Sequence, residues 1–266
     1  MMIINPYIFF SFDTDALAFF SAAGITDNTQ KLAVDKLVKD LKSYGLWTKM
    51  YAIYPFVGGS ATTHKFNLKN PVDSDAAYRL IFNGAWVHSS TGILGNGTST
   101  YVDTKLGFHI LPQNNAHVSL YCRTDTTGNI IDMGAQSSSA NFHTFIDCKL
   151  SGSFIARLNT SGLNNASSLN SDAKGFYQVY RTTSNQLNTR RNLATVGTFS
   201  NTTTTPGAFT YSYYIGNVNY DGSPYPGYYS NREYSFASFG EGFSDSDSTN
   251  FYNSVQTFQT SLSRQI

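Results

Sequence analysis

Residues 91–106, TGILGNGTSTYVDTKL, decide how the chain folds. Gly92, Gly95 and Gly97 supply positions where φ can be positive, and Asn96-Gly97 is a strong turn dipeptide. Beyond the turn, Tyr101, Val102, Asp103 and Thr104 alternate as a strand with one apolar face. The stretch therefore reads as a β-hairpin. Residues 77–82 (AYRLIF) form a further strand before it. Turns built on glycine, joined to segments of period two, point to antiparallel β-structure.

The same signals recur outward from this stretch. Strands are predicted at 50–57, 116–123, 130–133, 142–148, 154–158, 175–181, 186–191, 211–218 and 233–239. Thr126-Thr127-Gly128, Ser151-Gly152 and Pro206-Gly207 mark turns between them, and 65–73 is a loop around Pro71. Many short strands at this spacing predict a sandwich or a barrel.

Helical periodicity is confined to the two ends. Asp13 caps a short helix that Gly24 stops, with Leu17 and Phe20 on one side. Asp27 caps a longer one, with Gln30 at the reciprocal capping position. Val34, Leu37, Val38, Leu41 and Tyr44 recur at helical spacing, Gly45 ends the helix, and Leu46 folds back on its last turn. Lys31, Lys36, Lys39 and Lys42 read as a solvated face. Near the C-terminus, Ser244 caps a helix with Asp245 and Asp247 in its first turn. Phe251, Val255, Phe258 and Leu262 give it an apolar stripe, and Arg264 completes it with the sign that suits the helix dipole. Ahead of these helices, 1–12 carries Ile3, Ile4, Tyr7, Ile8, Phe9 and Phe10 without a helical period. Its apolar groups predict docking, either on a partner chain or on the same domain.

With 266 residues the chain is long enough for one large β domain. A net charge of +1 excludes an electrostatic footprint for nucleic acid or an anionic membrane. No run approaches the roughly 18 apolar residues of a membrane span. Charged residues make up only 13% and aromatics 15%, and Glu occurs only at Glu233 and Glu241. That balance suits a β-rich body with polar loops and argues against a helical cytosolic enzyme. Cys122 and Cys148 lack zinc-site spacing, and their strand-like settings favour two buried thiols over a disulfide.

The glycine turn leading into Tyr101-Val102-Asp103-Thr104 resembles the laminin-G/concanavalin A-like family. The composite resemblance is wider. The helix at 27–44, then Gly45 to Met50 (GLWTKM), then Ala52 to Gly59 (AIYPFVGG), is similar to a module of phage virion proteins. His64 to Lys69 (HKFNLK), 92–104, Ser235 to Gly240 (SFASFG) and the closing helix stand in matching order. The resemblance implies a mainly β fold, a two-sheet antiparallel jelly-roll sandwich of concanavalin A-like type with an N-terminal helical segment and a C-terminal helix. It divides the chain into an extended anchor (1–12), a helical lead-in (13–46) and the sandwich with its helix (47–266). It also implies a virion protein of tail or fibre type. The apolar 1–12 segment is expected to hold it to other virion proteins, and a homo-oligomer is expected. A host-surface glycan is the expected ligand, and a head decoration protein or a glycan-degrading enzyme are the alternatives. The resemblance carries no catalytic or ligand residues.

The residues themselves say little for catalysis. Glycoside hydrolysis needs two carboxylates flanking the sugar bond, and no strand here offers alternating acids. Asp245-Ser246-Asp247 reads as helix capping, and Asp73-Ser74-Asp75 as a capped turn rather than a calcium loop. His64, His88, His109, His117 and His143 form no paired metal motif, and no nucleophile-elbow pattern is present. No cofactor and no metal are expected. The best binding candidate is 219–229, NYDGSPYPGYY. Tyr220, Tyr225, Tyr228 and Tyr229 offer flat apolar faces with polar tips, and Asp221 can accept from sugar hydroxyls. The alternatives are a long loop pinned by its own aromatics and a subunit interface.

Overall fold

The computed structural model describes residues 11–139, 141–161, 165–200, 202–204 and 209–266. Helices α1 (Thr14–Ala23) and α2 (Asn28–Ser43) lead into β1 (Met50–Tyr54) and the single turn α3 (Ala61–His64). Next come β2 (Ile81–Asn83), β3 (Val87–Ser89), β4 (Gly92–Leu94), β5 (Tyr101–Gly107) and β6 (Ala116–Cys122). The middle of the chain holds β7 (Met133–Ser137), β8 (Phe142–Leu150), β9 (Ser153–Thr160), β10 (Ala166–Leu169), β11 (Gly175–Arg181), β12 (Gln186–Arg191) and β13 (Ala194–Ser200). It closes with β14 (Ser212–Ile215), β15 (Val218–Tyr220), β16 (Ser223–Pro224), β17 (Glu233–Gly240) and α4 (Asp245–Ser261).

These strands form two sheets. The first runs β13-β12-β11-β6-β17-β4-β3, with β1 also paired to β17. The second runs β10-β9-β8-β7-β14-β5-β2, with β15 beside β7 and β16 beside β15. All described pairings are antiparallel except β15 with β7. The two-sheet antiparallel sandwich expected from sequence is what the chain builds, with helices before and after it.

Alternation along β6 shows how the layers are held. Val118, Leu120 and Cys122 enter the core between the sheets, with Leu106, Ile146, Leu158, Val179 and Phe239. Tyr121 points the other way, with Phe176, Tyr180 and Phe236, into a second core under the helices. There they meet Phe20, Val34, Leu37, Leu41, Phe251, Val255 and Phe258. Burial of one such side chain is worth about 1.5–3 kcal/mol. Because both faces of the first sheet are covered, all seven residues of β6 are buried.

The helix ends follow their sequence signals with one exception. Asp13 accepts from Asp15 N, Asp27 from Gln30 N, and Ser244 and Asp247 form a reciprocal box. Gln30 does not return the favour to Asp27; its Oε1 accepts from Gly58 N at 2.9 Å and ties α2 to the loop after β1. Leu17 and Tyr44, expected on buried faces, are about half exposed. Lys36 and Lys39 pair with Asp40 and Asp35 along α2, while Lys42 binds both Asp13 and Asp15. Of the 1–12 anchor only Ser11 and Phe12 are described; the rest lies outside the described residues, as does the Pro206-Gly207 turn. Phe12 packs edge-on against Phe20, 5.4 Å between centroids.

The stretch 91–106 is not a hairpin. β4 pairs with β3 and β17 in the first sheet, and β5 pairs with β2 and β14 in the second. The glycines between them carry the chain from one sheet to the other. Asn96 Oδ1 accepts from the backbone of Thr98, Ser99 and Thr100, so the loop closes on itself. Gly95 is needed because a Cβ there would collide with the Ser230 carbonyl. Elsewhere strands are shorter than expected. The first ends at Tyr54, since Phe56 takes φ 42°. Residues 77–82 begin with a 3-10 turn and Tyr78 at φ 60°, and only Ile81–Asn83 pairs. The 130–133 strand starts at Met133. Residues 211–218 break between β14 and β15. β3, β10, β13 and β16 were not anticipated.

Arg264 is not a solvated helix end. It is fully buried, and its guanidinium donates to the carbonyls of Pro55, Phe56, Ser90 and Ser235 and to Gln259 Oε1. Burial, with Arg123 nearby, lowers its pKa to about 9, so it remains a cation at neutral pH. One side chain thus fastens the C-terminal segment to both edges of the β1–β17 ladder. Cys122 and Cys148 are free, buried thiols in the inter-sheet core.

Candidate functional site

The tyrosine loop grows out of the second sheet at β15. Asp221 and Gly222 take φ of 47° and 94°, which makes a two-residue turn of the kind hairpins prefer and pairs Tyr220 with Ser223. Buried amides fix it. Asn219 donates to Ser212 O and accepts from Gly222 N, while Asn217 Oδ1 accepts from Val218 N and Tyr225 N. Asp221 reaches across to the turn after β7, where Ser138 Oγ and N donate to its carboxylate.

The loop then stacks its rings. Tyr220 and Tyr225 lie 5.0 Å apart at 41°, and Tyr225 and Tyr228 lie 4.9 Å apart at 22°. Tyr225 and Tyr228 rest on Ile131, Phe145, Val218 and Ile155, a small apolar patch on the outer face of the second sheet. The structure therefore unites three of the four tyrosines in a ladder, with Asp221 at the turn. Tyr229 parts from them and lines a cavity of about 180 Å³ with Gly97, Thr127, Asn129 and Asn231. Among the described residues no group hydrogen-bonds the four phenol hydroxyls. All four tyrosines are half-buried. The loop is pinned by its own aromatics and still offers polar tips.

Sequence reasoning missed the floor beside the ladder. Phe145 on β8 faces Arg157 on β9 across the ladder of strands. The guanidinium carbon lies 4.9 Å from the ring centroid of Phe145. His143 and Asp147 flank Phe145 at alternate positions of β8, and both are buried. Burial, then Arg157, lowers the His143 pKa to about 4, so this imidazole is neutral. Burial, then Asp132, pushes Asp147 well up. The available signal was the alternation His143, Phe145, Asp147 and Ile155, Arg157 along two strands already recognised.

Two further hollows lie outside the ladder. A polar cleft of about 480 Å³, lined by Thr127, Gly128, Asn129, Lys149, Ser151 and Gly152, shares its first three residues with the cavity at Tyr229. A hollow of about 590 Å³ lies along α2 beside Leu32 and Ala33, far from the tyrosines. Its charges, Lys36 with Asp40 and Lys39 with Asp35, satisfy each other, so no polar group converges on a ligand there. Glu233 is bound by Arg123 and Thr91. Asp73 and Asp75 are held by Lys65 and Arg79 around a 3-10 turn. Among the described residues no cluster of three His, Cys, Asp or Glu side chains is placed to hold a metal ion. No described helix is long and apolar enough to cross a membrane.

These features define a mainly β protein, a two-sheet antiparallel jelly-roll sandwich with helices before and after it. No family model matches the chain, and no curated protein matches it in sequence. Solved structures do match in shape. Domain 4 of AbnA, an extracellular arabinanase from Geobacillus stearothermophilus, seen with arabinotriose, superposes with TM-score 0.53 at 12% identity over 77% of this chain and 98% of that one. The binding domain of botulinum neurotoxin serotype D/C gives 0.53 at 11%, over 79% of this chain and 53% of that one. A Trypanosoma rangeli sialidase mutant displaying trans-sialidase activity gives 0.55 at 9%, over 85% and 39%. At such identities the likeness is one of fold.

Proposed function

We propose that the chain is a glycan-recognition module of a phage virion, of tail or fibre type, that binds sugar without cleaving it. The stacked row Tyr220, Tyr225 and Tyr228 carries this reading. Sugar rings present C–H faces to aromatic rings and hydroxyls to polar tips; the outer faces of Tyr220 and Tyr228 at the two ends of the row, with the phenol hydroxyls along it, offer both. The fold likeness to an arabinanase domain seen with arabinotriose supports it. The engagement of Glu233 by Arg123 and the deep burial of Asp132 and Asp147 support binding over hydrolysis. The virion assignment rests on the sequence resemblance.

Titration of the purified protein with bacterial surface oligosaccharides should give saturable binding with no release of reducing ends. Tyr225→Ala should weaken that binding about tenfold. Binding unchanged in a variant whose melting temperature shows it folded would remove the ladder from the site. Immunodetection on purified particles tests the virion assignment: the protein should copurify with them. Its absence removes that assignment and leaves the glycan reading standing.

A further inference from the structure

Arg157 is an unspent cation on the face that carries the tyrosines. It is only 6% exposed, yet its sole described hydrogen bond runs from Nε to Asn165 Oδ1. Neither Nη nitrogen has a described partner, and no described carboxylate forms an ion pair with it. A buried guanidinium without a counter-ion is costly, and such groups are ordinarily paired. Asp147, the nearest acid named by its electrostatics, is itself held toward the protonated form by burial and by Asp132. His143, across from Thr160 on the neighbouring strand, has a buried Nδ1 with no partner. Two nine-tenths-buried polar side chains, His143 with an orphaned ring nitrogen and Arg157 with no described partner at either Nη, therefore stand at one edge of an aromatic floor. That floor is continuous: Arg157 stacks on Phe145, and Phe145 packs beneath Tyr225 and Tyr228.

We infer that Arg157, aided by His143, forms the anion-recognising end of the tyrosine ladder, so that the preferred ligand is an acidic glycan whose sugar carboxylate meets the Nη pair. The inference rests on the ladder reading and adds the charge of the ligand. A guanidinium fork matches a carboxylate in two parallel hydrogen bonds, which an ammonium cannot do. Phe145 joins the two, packed with Tyr225 and Tyr228 and stacked with Arg157, so a sugar held at the ladder has the fork at the edge of the same apolar floor. A neutral sugar would leave the fork unpaired.

Polygalacturonic acid and polysialic acid oligomers, each measured beside its carboxyl-reduced form by calorimetry, test this. The wild type should prefer at least one acidic form over its reduced counterpart by about tenfold or more. That preference should shrink as salt is raised. In Arg157→Gln the acidic-to-reduced affinity ratio should fall close to one, while Arg157→Lys should keep part of it. Equal affinity of the wild type for acidic and reduced forms would overturn the inference and leave the ladder intact, and this arm needs no variant to fold. A preference retained in folded Arg157→Gln would also overturn it. No binding to any form would sink the inference and the ladder reading together.

Discussion

Arg232→Met is expected to lower the unfolding free energy by about 3–5 kcal/mol, the range found when one partner of a buried ion pair is removed. Arg232 and Asp132 are both fully buried, and Nη1 meets Oδ2 at 2.5 Å. Most of the remaining capacity of each group is used, Arg232 Nε excepted. Arg232 Nη2 donates to the carbonyls of Thr126 and Lys149, which lie in the loop before β7 and at the end of β8. Asp132 accepts from Tyr234 OH and from Cys148 N. The pair therefore ties β17 of the first sheet to β8 of the second. With Met in place, the Asp132 carboxylate stays buried without its cation, and two carbonyls lose their donor. Urea unfolding of wild type, Arg232→Met, Asp132→Asn and the double variant would measure the coupling directly. The double variant should cost less than the sum of the singles. A single variant within about 0.5 kcal/mol of wild type would show that the pair contributes nothing net.

Acid should unfold the protein well before its carboxylates are protonated. His64 and His117 are 2% and 0% exposed, and burial depresses both to about 3. His117 is held neutral between Glu241 O and Ser238 Oγ and stacks on Phe243 at 4.0 Å. His64 accepts from Gly59 N at Nε2, and its Nδ1 lies 3.0 Å from His88 Nδ1. Above the unfolded pKa of about 6.5 neither state protonates these groups, so they leave stability flat. Between about 6.5 and 3 the unfolded chain binds two protons that the folded chain refuses. Each costs about 1.36 kcal/mol per pH unit, hence roughly 5 kcal/mol together at about pH 4.5. His143, lowered to about 4, adds to the loss, while Asp147, whose pKa is raised, opposes it. Asp13, Asp125 and Asp247, all depressed, withdraw their contributions only below the ordinary Asp value of 3.8. Chemical denaturation at about pH 7.5 and 4.5 should show this loss. A flat profile across that interval would mean that the folded protein accommodates charged imidazoles.

Much of the fold could be read from local chemistry. Asp13, Asp27 and Ser244 cap as their residue types demand, and period-two segments separated by glycine turns became strands. What escaped reading was non-local. The turn chemistry of 91–106 specifies that the chain bends, and nothing in it says which sheet Tyr101 joins. β6 reads as a strand, but only burial by the helices explains why Tyr121 and His117 are as hidden as Val118. Arg264, Arg232 and Arg157 carry side chains that normally mark solvent, so their burial had no signature. β10 (ASSL) and β13 (ATVGTFS) are polar edge strands without apolar alternation. In the candidate site, the tyrosines were visible as a cluster in sequence. The departure of Tyr229 and the arrival of Phe145 and Arg157 depend on sheet pairing.

The pairing of β1 with β17 has a mechanical consequence. Met50 stands opposite Gly240, so the strand that follows α2 and the strand that precedes α4 meet at the same end of their ladder. Tension applied between α1 and α4 would peel this ladder open rung by rung, which needs less force than shearing all rungs at once. Arg264 grips Pro55 and Phe56 just past the end of one strand and Ser235 on the other, at the far end, and acts as the stop on that zip. Load would pass through the helical layer and these two strands. The tyrosine-bearing sheet lies off that line and would keep its shape under pull.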